Sequence, residues 1–85
     1  MQLTLRYFAS LREALGPGGP LAWTPDGEPT VAALRDWLLA QSWPHAQVLA
    51  RGRAVRVAVD QVLAEESTPL RDGAEVAFFP PVTGG

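Results

Sequence analysis

Two alternating segments stand near the ends of this chain, and a single helical stripe lies between them. From Gln2 to Phe8, Leu3, Leu5 and Tyr7 share one face while Gln2, Thr4 and Arg6 share the other. A period of two is the signature of a half-buried strand. Glu75 to Phe79 repeats the pattern, with Val76 and Phe78 on one face. In the middle, Thr30 reads as an N-cap, followed by Val31, Leu34, Leu38 and Gln41 on one stripe with Trp37 beside it. This main helix is expected to end before Pro44. A lone amphipathic helix needs a second layer to bury its stripe, so these segments call for a sheet packed on one helix.

The intervening residues fill in that frame. Ser10 to Leu15 reads as a short helix, ended by Gly16-Pro17-Gly18-Gly19-Pro20, which has the composition of a loop. Leu21 to Thr24 is expected to return as a second strand beside the first, and Pro25-Asp26-Gly27 as a turn. The stretch around Ala46, Leu49 and Ala50 is open between loop and another turn of helix. Val55, Val57 and Val59 alternate with Arg56 and Ala58, a clear strand. Asp60 to Glu66 holds a turn and a short extended piece at Val62-Leu63, and Asp72-Gly73 leads into the last strand. The order predicts an α+β fold of the β-grasp, ubiquitin-like kind: a mixed sheet packed on one main helix, with first and last strands paired centrally. Residues 1–79 form one domain, and 80–85 a flexible extended tail.

Composition excludes several function classes. Eighty-five residues give one domain with a modest core. Hydrophobic content of 47% with 19% charged residues is that of a globular chain. No apolar run has membrane-spanning length and no secretory signal opens the chain, so cytoplasmic residence is expected. A net charge of −2 gives no reason to expect nucleic acid. Cysteine is absent, which removes disulfides, thiolate nucleophiles and thiolate metal sites. All seven basic residues are arginines, so the chain has no lysine for Schiff-base chemistry or self-conjugation. His45 has no acidic or histidine companion and reads as a solvent-exposed residue. Asp60, Glu65 and Glu66 read as a solvated face, and Trp23, Trp37 and Trp43 as core and rim packing. No Ser–His pairing or phosphate loop is visible. The chain therefore shows no self-contained active site, no metal site and no tightly bound cofactor.

The C-terminal Pro80-Pro81-Val82-Thr83-Gly84-Gly85 is the remaining candidate. It is either an ordinary frayed terminus or, if the chain handles sulfur or an acyl group, the carrier, and the apolar strand running straight into it favours the second. Two prolines fix φ and bias their predecessors toward extended backbone. A terminal Gly-Gly leaves the α-carboxylate unhindered and lets the walls of a partner approach closely. Six residues reach at most about 20 Å, enough to enter a deep cleft. At the root of the tail, Phe8 falls on the polar face of the first strand and Phe79 lies opposite Val76 and Phe78. If the two strands are neighbours, these rings share a solvent-facing patch that Leu63 joins, the kind of surface that marks a partner site. The residues alone leave this reading level with one in which both rings cover the edge of the core.

The chain resembles the small subunit of molybdopterin synthase, a ubiquitin-like sulfur carrier, over essentially its whole length. Tyr7-Phe8-Ala9-Ser10-Leu11-Arg12-Glu13 is similar to that family's first-strand-to-helix segment, and Pro29-Thr30-Val31 with Leu34 to its main helix start. Asp72-Gly73 and Glu75-Val76-Ala77-Phe78-Phe79-Pro80-Pro81-Val82-Thr83-Gly84-Gly85 match its closing signature, the most specific of the three. The chain departs from the pattern at Asp60, where the family often has Asn, and at Ala74, where it has an acidic residue.

The resemblance implies a two-stage mechanism. An ATP-dependent adenylating enzyme of the ubiquitin-activating type would adenylate the Gly85 carboxylate, and sulfur would replace the adenylate to give a thiocarboxylate. The tail, with Gly84 next to its end, would then insert into the large synthase subunit and donate sulfur to cyclic pyranopterin monophosphate. Phe8, Leu63 and Phe79 would be the docking surface, Pro80, Pro81, Val82 and Thr83 the inserted lead-in, and the assembly a heterotetramer. Alternatives are a sulfur carrier for thiamine or tRNA thiolation, a ubiquitin-like protein modifier, or a binding module whose Gly-Gly is incidental.

Overall fold

The computed structural model describes residues 1–50 and 52–81. Five strands form one mixed sheet in the order β2-β1-β5-β3-β4. They are β1 (Gln2–Tyr7), β2 (Gly18–Ala22), β3 (Arg56–Val59), β4 (Val62–Ala64) and β5 (Glu75–Phe79). β1 and β5 pair in parallel at the centre, with Leu5 opposite Val76 and Tyr7 opposite Phe78. The remaining pairs are antiparallel. Helices α1 (Ala9–Leu15), α2 (Val31–Leu39) and α3 (Trp43–Val48) cover one face. This is the β-grasp arrangement that the element order predicts.

The core follows from the two periodicities. Leu3, Leu5, Tyr7, Val57, Val76 and Phe78 point from the sheet toward Val31, Leu34 and Leu38 of α2, and all are buried. Thr30 caps α2 by accepting the Ala33 N–H at Oγ1 (3.1 Å), an arrangement worth about 1 kcal/mol. The helix stops at Leu39, so Gln41 is not on its stripe. Its side-chain amide instead donates to the Trp37 carbonyl (2.8 Å), satisfying a helix-end acceptor. Pro44 does not merely follow α2; it stands in the first turn of α3, where a missing N–H costs nothing. The open stretch after it is helical as far as Val48.

The second strand lies earlier than the sequence predicts. Gly18, Gly19 and Pro20, expected as loop, are its first residues. β2 has only β1 as neighbour, and an edge strand tolerates a proline whose absent N–H would face solvent. Gly18 has φ +98° facing Arg6, and a Cβ there would fall 2.2 Å from the Leu5 carbonyl oxygen. Close backbone approach, rather than chain reversal, accounts for this glycine. Trp23 lies just past the strand in the core, Trp37 is half-buried, and Trp43 is 74% exposed, so it is neither core nor rim.

Asp60 and Gln61 join β3 to β4 with φ of 51° and 69°. With Val59 opposite Val62 this is a two-residue hairpin of the type that requires left-handed backbone at both centres. The Asp60 carboxylate accepts the Glu75 N–H (3.0 Å), and the Asp60 N–H donates to the Glu75 carbonyl (2.9 Å). The turn is thereby fixed to the start of β5.

Candidate functional site

Register decides which side chains share the sheet face away from the helices. Leu3, Leu5 and Tyr7 face the core, so Thr4, Arg6 and Phe8 face outward. Phe8 donates its N–H to the Phe78 carbonyl (3.2 Å), carrying the parallel pairing one residue past β1. In β5, Val76 and Phe78 are buried inward, which turns Ala77 and Phe79 outward. Arg56 stands opposite Phe79, and Leu63 opposite Ala58. One surface therefore holds Phe8, Phe79 and Leu63, with Arg6 and Arg56 among them. Phe8 is 39% exposed and Leu63 is 68% exposed. The Arg6 guanidinium lies 5.5 Å from the Phe8 ring centroid, so a cation caps the aromatic rather than leaving it bare.

The strand register thus sets Phe8 beside Phe79 on the sheet's open face, as the alternation pattern anticipates. Leu63 is on the same face but on the edge strand β4, two strands from Phe79 in the neighbouring Ala58–Ala77 row. Pro80 and Pro81 follow Phe79 directly and are half-buried. They border a groove of about 320 Å³ on the helix side, beside α1, the end of α3 and residues 53–55. Val82, Thr83, Gly84 and Gly85 lie outside the described residues.

Arg35 holds the segment beside this groove, and sequence reading missed it. Its Nε donates to the Leu49 carbonyl (2.7 Å) and its Nη2 to the Ala50 carbonyl (2.7 Å), closing the C-terminal end of α3. Nη2 also reaches the Arg53 carbonyl (3.3 Å), and Nη1 pairs with Glu66 Oε2 (2.9 Å). The signal was present: Arg35 lies four residues after Val31 and three before Leu38, which puts a guanidinium on the apolar stripe. A charge there is tolerated only when its donors are satisfied.

The titratable groups nearby are structural in character. Tyr7 packs against Phe78 at 6.1 Å and meets the edge of His45 at 6.4 Å. Its hydroxyl is buried without a hydrogen-bond partner, and burial pushes the phenol up to about 12. His45, expected in solvent, is half-buried against this ring, and burial holds its pKa below the usual imidazole value. Its Nδ1 sits 2.6 Å from Ser42 Oγ, the α3 cap. Asp60 is held below the usual carboxylate range by the Glu75 N–H and secondarily by Arg71. Among the described residues no His, Asp and Glu side chains cluster as a metal site. No helix among them is long and apolar enough to cross a membrane.

Comparison with known proteins places this geometry. The family model described as the ThiS family matches residues 5–85. The chain belongs to the ThiS family. Among curated relatives of this ThiS-family chain, the molybdopterin synthase sulfur carrier subunit of Escherichia coli is 46% identical over 93% of this chain and 94% of its own. Small archaeal modifier protein 3 of Haloferax volcanii is 36% identical, with both chains covered in full. Among solved structures, the crystal structure of SAMP1 from Haloferax volcanii aligns over 100% of both chains with a TM-score of 0.73 and 26% identity. The ThiS-family match extends through Gly84 and Gly85, so it includes the tail as well as the β-grasp body.

Proposed function

We propose that this chain is the sulfur-carrier subunit of molybdopterin synthase. The observation that carries the reading is the near-full-length 46% identity to a subunit of that name, joined to a family match that runs to Gly85. On this reading, the Gly85 carboxylate attacks the α-phosphorus of ATP on an adenylating enzyme, forming an acyl-adenylate and releasing pyrophosphate. A sulfide-equivalent nucleophile then displaces AMP and leaves a C-terminal thiocarboxylate. That sulfur is deprotonated near neutral pH and needs no general base from this chain. On the large subunit each thiocarboxylate delivers one of the two dithiolene sulfurs to cyclic pyranopterin monophosphate. Water cleaves the resulting acyl–sulfur bond to regenerate the Gly85 carboxylate, so two charged chains are used per dithiolene.

The remaining parts have matching roles. Gly84 puts no side chain beside the reacting carboxylate, and Pro80, Pro81, Val82 and Thr83 are the lead-in that enters the large subunit. Phe8, Leu63 and Phe79 dock the large subunit, supported by their shared open face beside the tail root. The expected assembly is a heterotetramer of two small and two large subunits. A reconstituted synthase assay tests the reading. A chain lacking Gly85 is expected to fold normally and transfer no sulfur; turnover at the wild-type rate would refute it.

A second reading, a ubiquitin-like protein modifier, is favoured by the 36% identity to small archaeal modifier protein 3. It shares the adenylation step and differs in the acceptor, a lysine amine in place of sulfur. Covalent ladders on cellular proteins, lost on deleting Gly85, would distinguish it.

A further inference from the structure

We propose that the groove on the helix side of the tail root is a second docking site for the large synthase subunit, accepting an apolar side chain flanked by a carboxylate. The inference rests on the sulfur-carrier reading above. The groove's volume, about 320 Å³, lies at the small end of the roughly 300–1,000 Å³ range of pockets that accept a ligand-sized group. Its lining is mostly hydrocarbon: Leu11 from α1, Val48 from α3, Val55 ahead of β3, and the rings of Pro80 and Pro81. Leu11 belongs to the core, whereas Val48 and Val55 are half-exposed, so apolar surface stands open beside the tail.

Arg53 adds a charge to this lining. Its side chain is exposed, and among the described residues no carboxylate lies within ion-pair distance. Its backbone is nevertheless pinned. The Arg53 N–H donates to the Ala50 carbonyl (2.8 Å), and its carbonyl accepts from Val55 N–H (2.9 Å) and Arg35 Nη2 (3.3 Å). A cation on fixed backbone beside an apolar groove is complementary to an apolar anchor carrying a neighbouring carboxylate.

Continuity identifies the occupant. Phe79 belongs to the outer-face patch, and the next two residues, Pro80 and Pro81, line the groove. On the sulfur-carrier reading, the reacting carboxylate lies four residues past Pro81, at most about 14 Å of extended chain. A subunit that docks on Phe79 and encloses that carboxylate must pass over Pro80 and Pro81. It therefore covers the groove as well as the open face, gripping the tail root from both sides of the sheet.

Titration calorimetry of the full-length chain against the purified large subunit tests this, with circular dichroism verifying that each variant is folded. Arg53→Glu and Ser10→Trp are both at exposed positions; the first reverses the charge and the second puts an indole at the groove. Each is expected to raise Kd about tenfold or more, and the Arg53→Glu effect is expected to shrink in high salt. Wild-type affinity in both variants, with Phe79→Asp still weakened, would overturn the groove and leave the sulfur-carrier reading standing. If only self-association or adenylating-enzyme binding changes, the occupant is a second copy or that enzyme, and the proposal is wrong. Failure of the wild-type chain to bind the large subunit would overturn the sulfur-carrier reading itself.

Discussion

Replacing Arg35 by Met isolates the forces that hold the segment beside the tail. Met retains much of the apolar stem but removes every donor, so the Leu49 and Ala50 carbonyls lose 2.7 Å partners. Leu49 is fully buried, and an unsatisfied buried acceptor costs about 1–3 kcal/mol. Ala50 is half-buried and its carbonyl keeps the Arg53 N–H (2.8 Å), so it loses one of two bonds and adds less. The longer Arg53 contact adds little. The ion pair has a 7% exposed guanidinium but a 40% exposed Glu66 side chain, so solvent screening leaves it worth under about 1 kcal/mol. The sum is roughly 2–4 kcal/mol, dominated by the Leu49 carbonyl. Urea unfolding reads this directly: with a slope near about 1 kcal/mol per molar for so small a domain, the midpoint should fall by roughly 3 M. Glu66→Gln keeps a hydrogen-bond acceptor and should cost under about 1 kcal/mol. An Arg35→Met loss below about 1 kcal/mol, or a Glu66→Gln loss equal to it, would refute the reasoning.

Other expectations follow from backbone and burial. Gly18→Ala drives a Cβ to within 2.2 Å of a backbone oxygen at φ +98°; it should cost more than about 2 kcal/mol in thermal unfolding, and a neutral result would mean β2 does not pair as described. Gln61→Gly relieves a left-handed non-glycine residue at φ 69° and should stabilise the hairpin by about 0.5–1 kcal/mol, read as a higher urea midpoint. Tyr7→Phe removes a buried hydroxyl without a partner and should be neutral to about 1 kcal/mol stabilising; a clear loss would show that the hydroxyl is satisfied. The wild-type phenol should titrate at about 12 by ultraviolet difference absorption. Because its folded pKa is raised above the unfolded value of 10.0, stability should be full below pH 10 and decline as pH rises toward 12. His45 is shifted down, so the unfolded chain binds its proton more tightly. Stability should fall as pH drops below about 6.5, and His45→Gln should flatten that slope.

The parts of the fold readable in sequence are those where one periodicity acts alone. Leu3, Leu5 and Tyr7, the Val31–Leu38 stripe and Val76 with Phe78 mark the sheet centre and the main helix. The same alternation placed Phe8 and Phe79 on the opposite face. β2 lies earlier than its sequence pattern suggests because Gly18 and Pro20 look the same in sequence whether they serve a turn or an edge strand in close backbone contact. Arg35 was hidden because its partners are main-chain carbonyls 14–18 residues away, contacts that leave no residue-type signature. Trp43 departs from the expected core or rim placement because hydrophobicity alone does not say which side of a short helix meets the core. The Arg53 groove needs α1, α3 and the tail root together, a tertiary juxtaposition that no local pattern encodes.

The central claim concerns the Gly85 carboxylate, and intact-mass spectrometry of the untagged chain tests it most directly. The chain is incubated with the adenylating enzyme, ATP and a sulfur donor. The account predicts a mass increase matching one oxygen replaced by sulfur, absent without ATP and absent when Gly85 is deleted. The deletion control separates this from oxidation of Met1 or a tryptophan, which gives nearly the same shift. An unchanged mass, from an activating system that thiolates another carrier in parallel, would contradict the account.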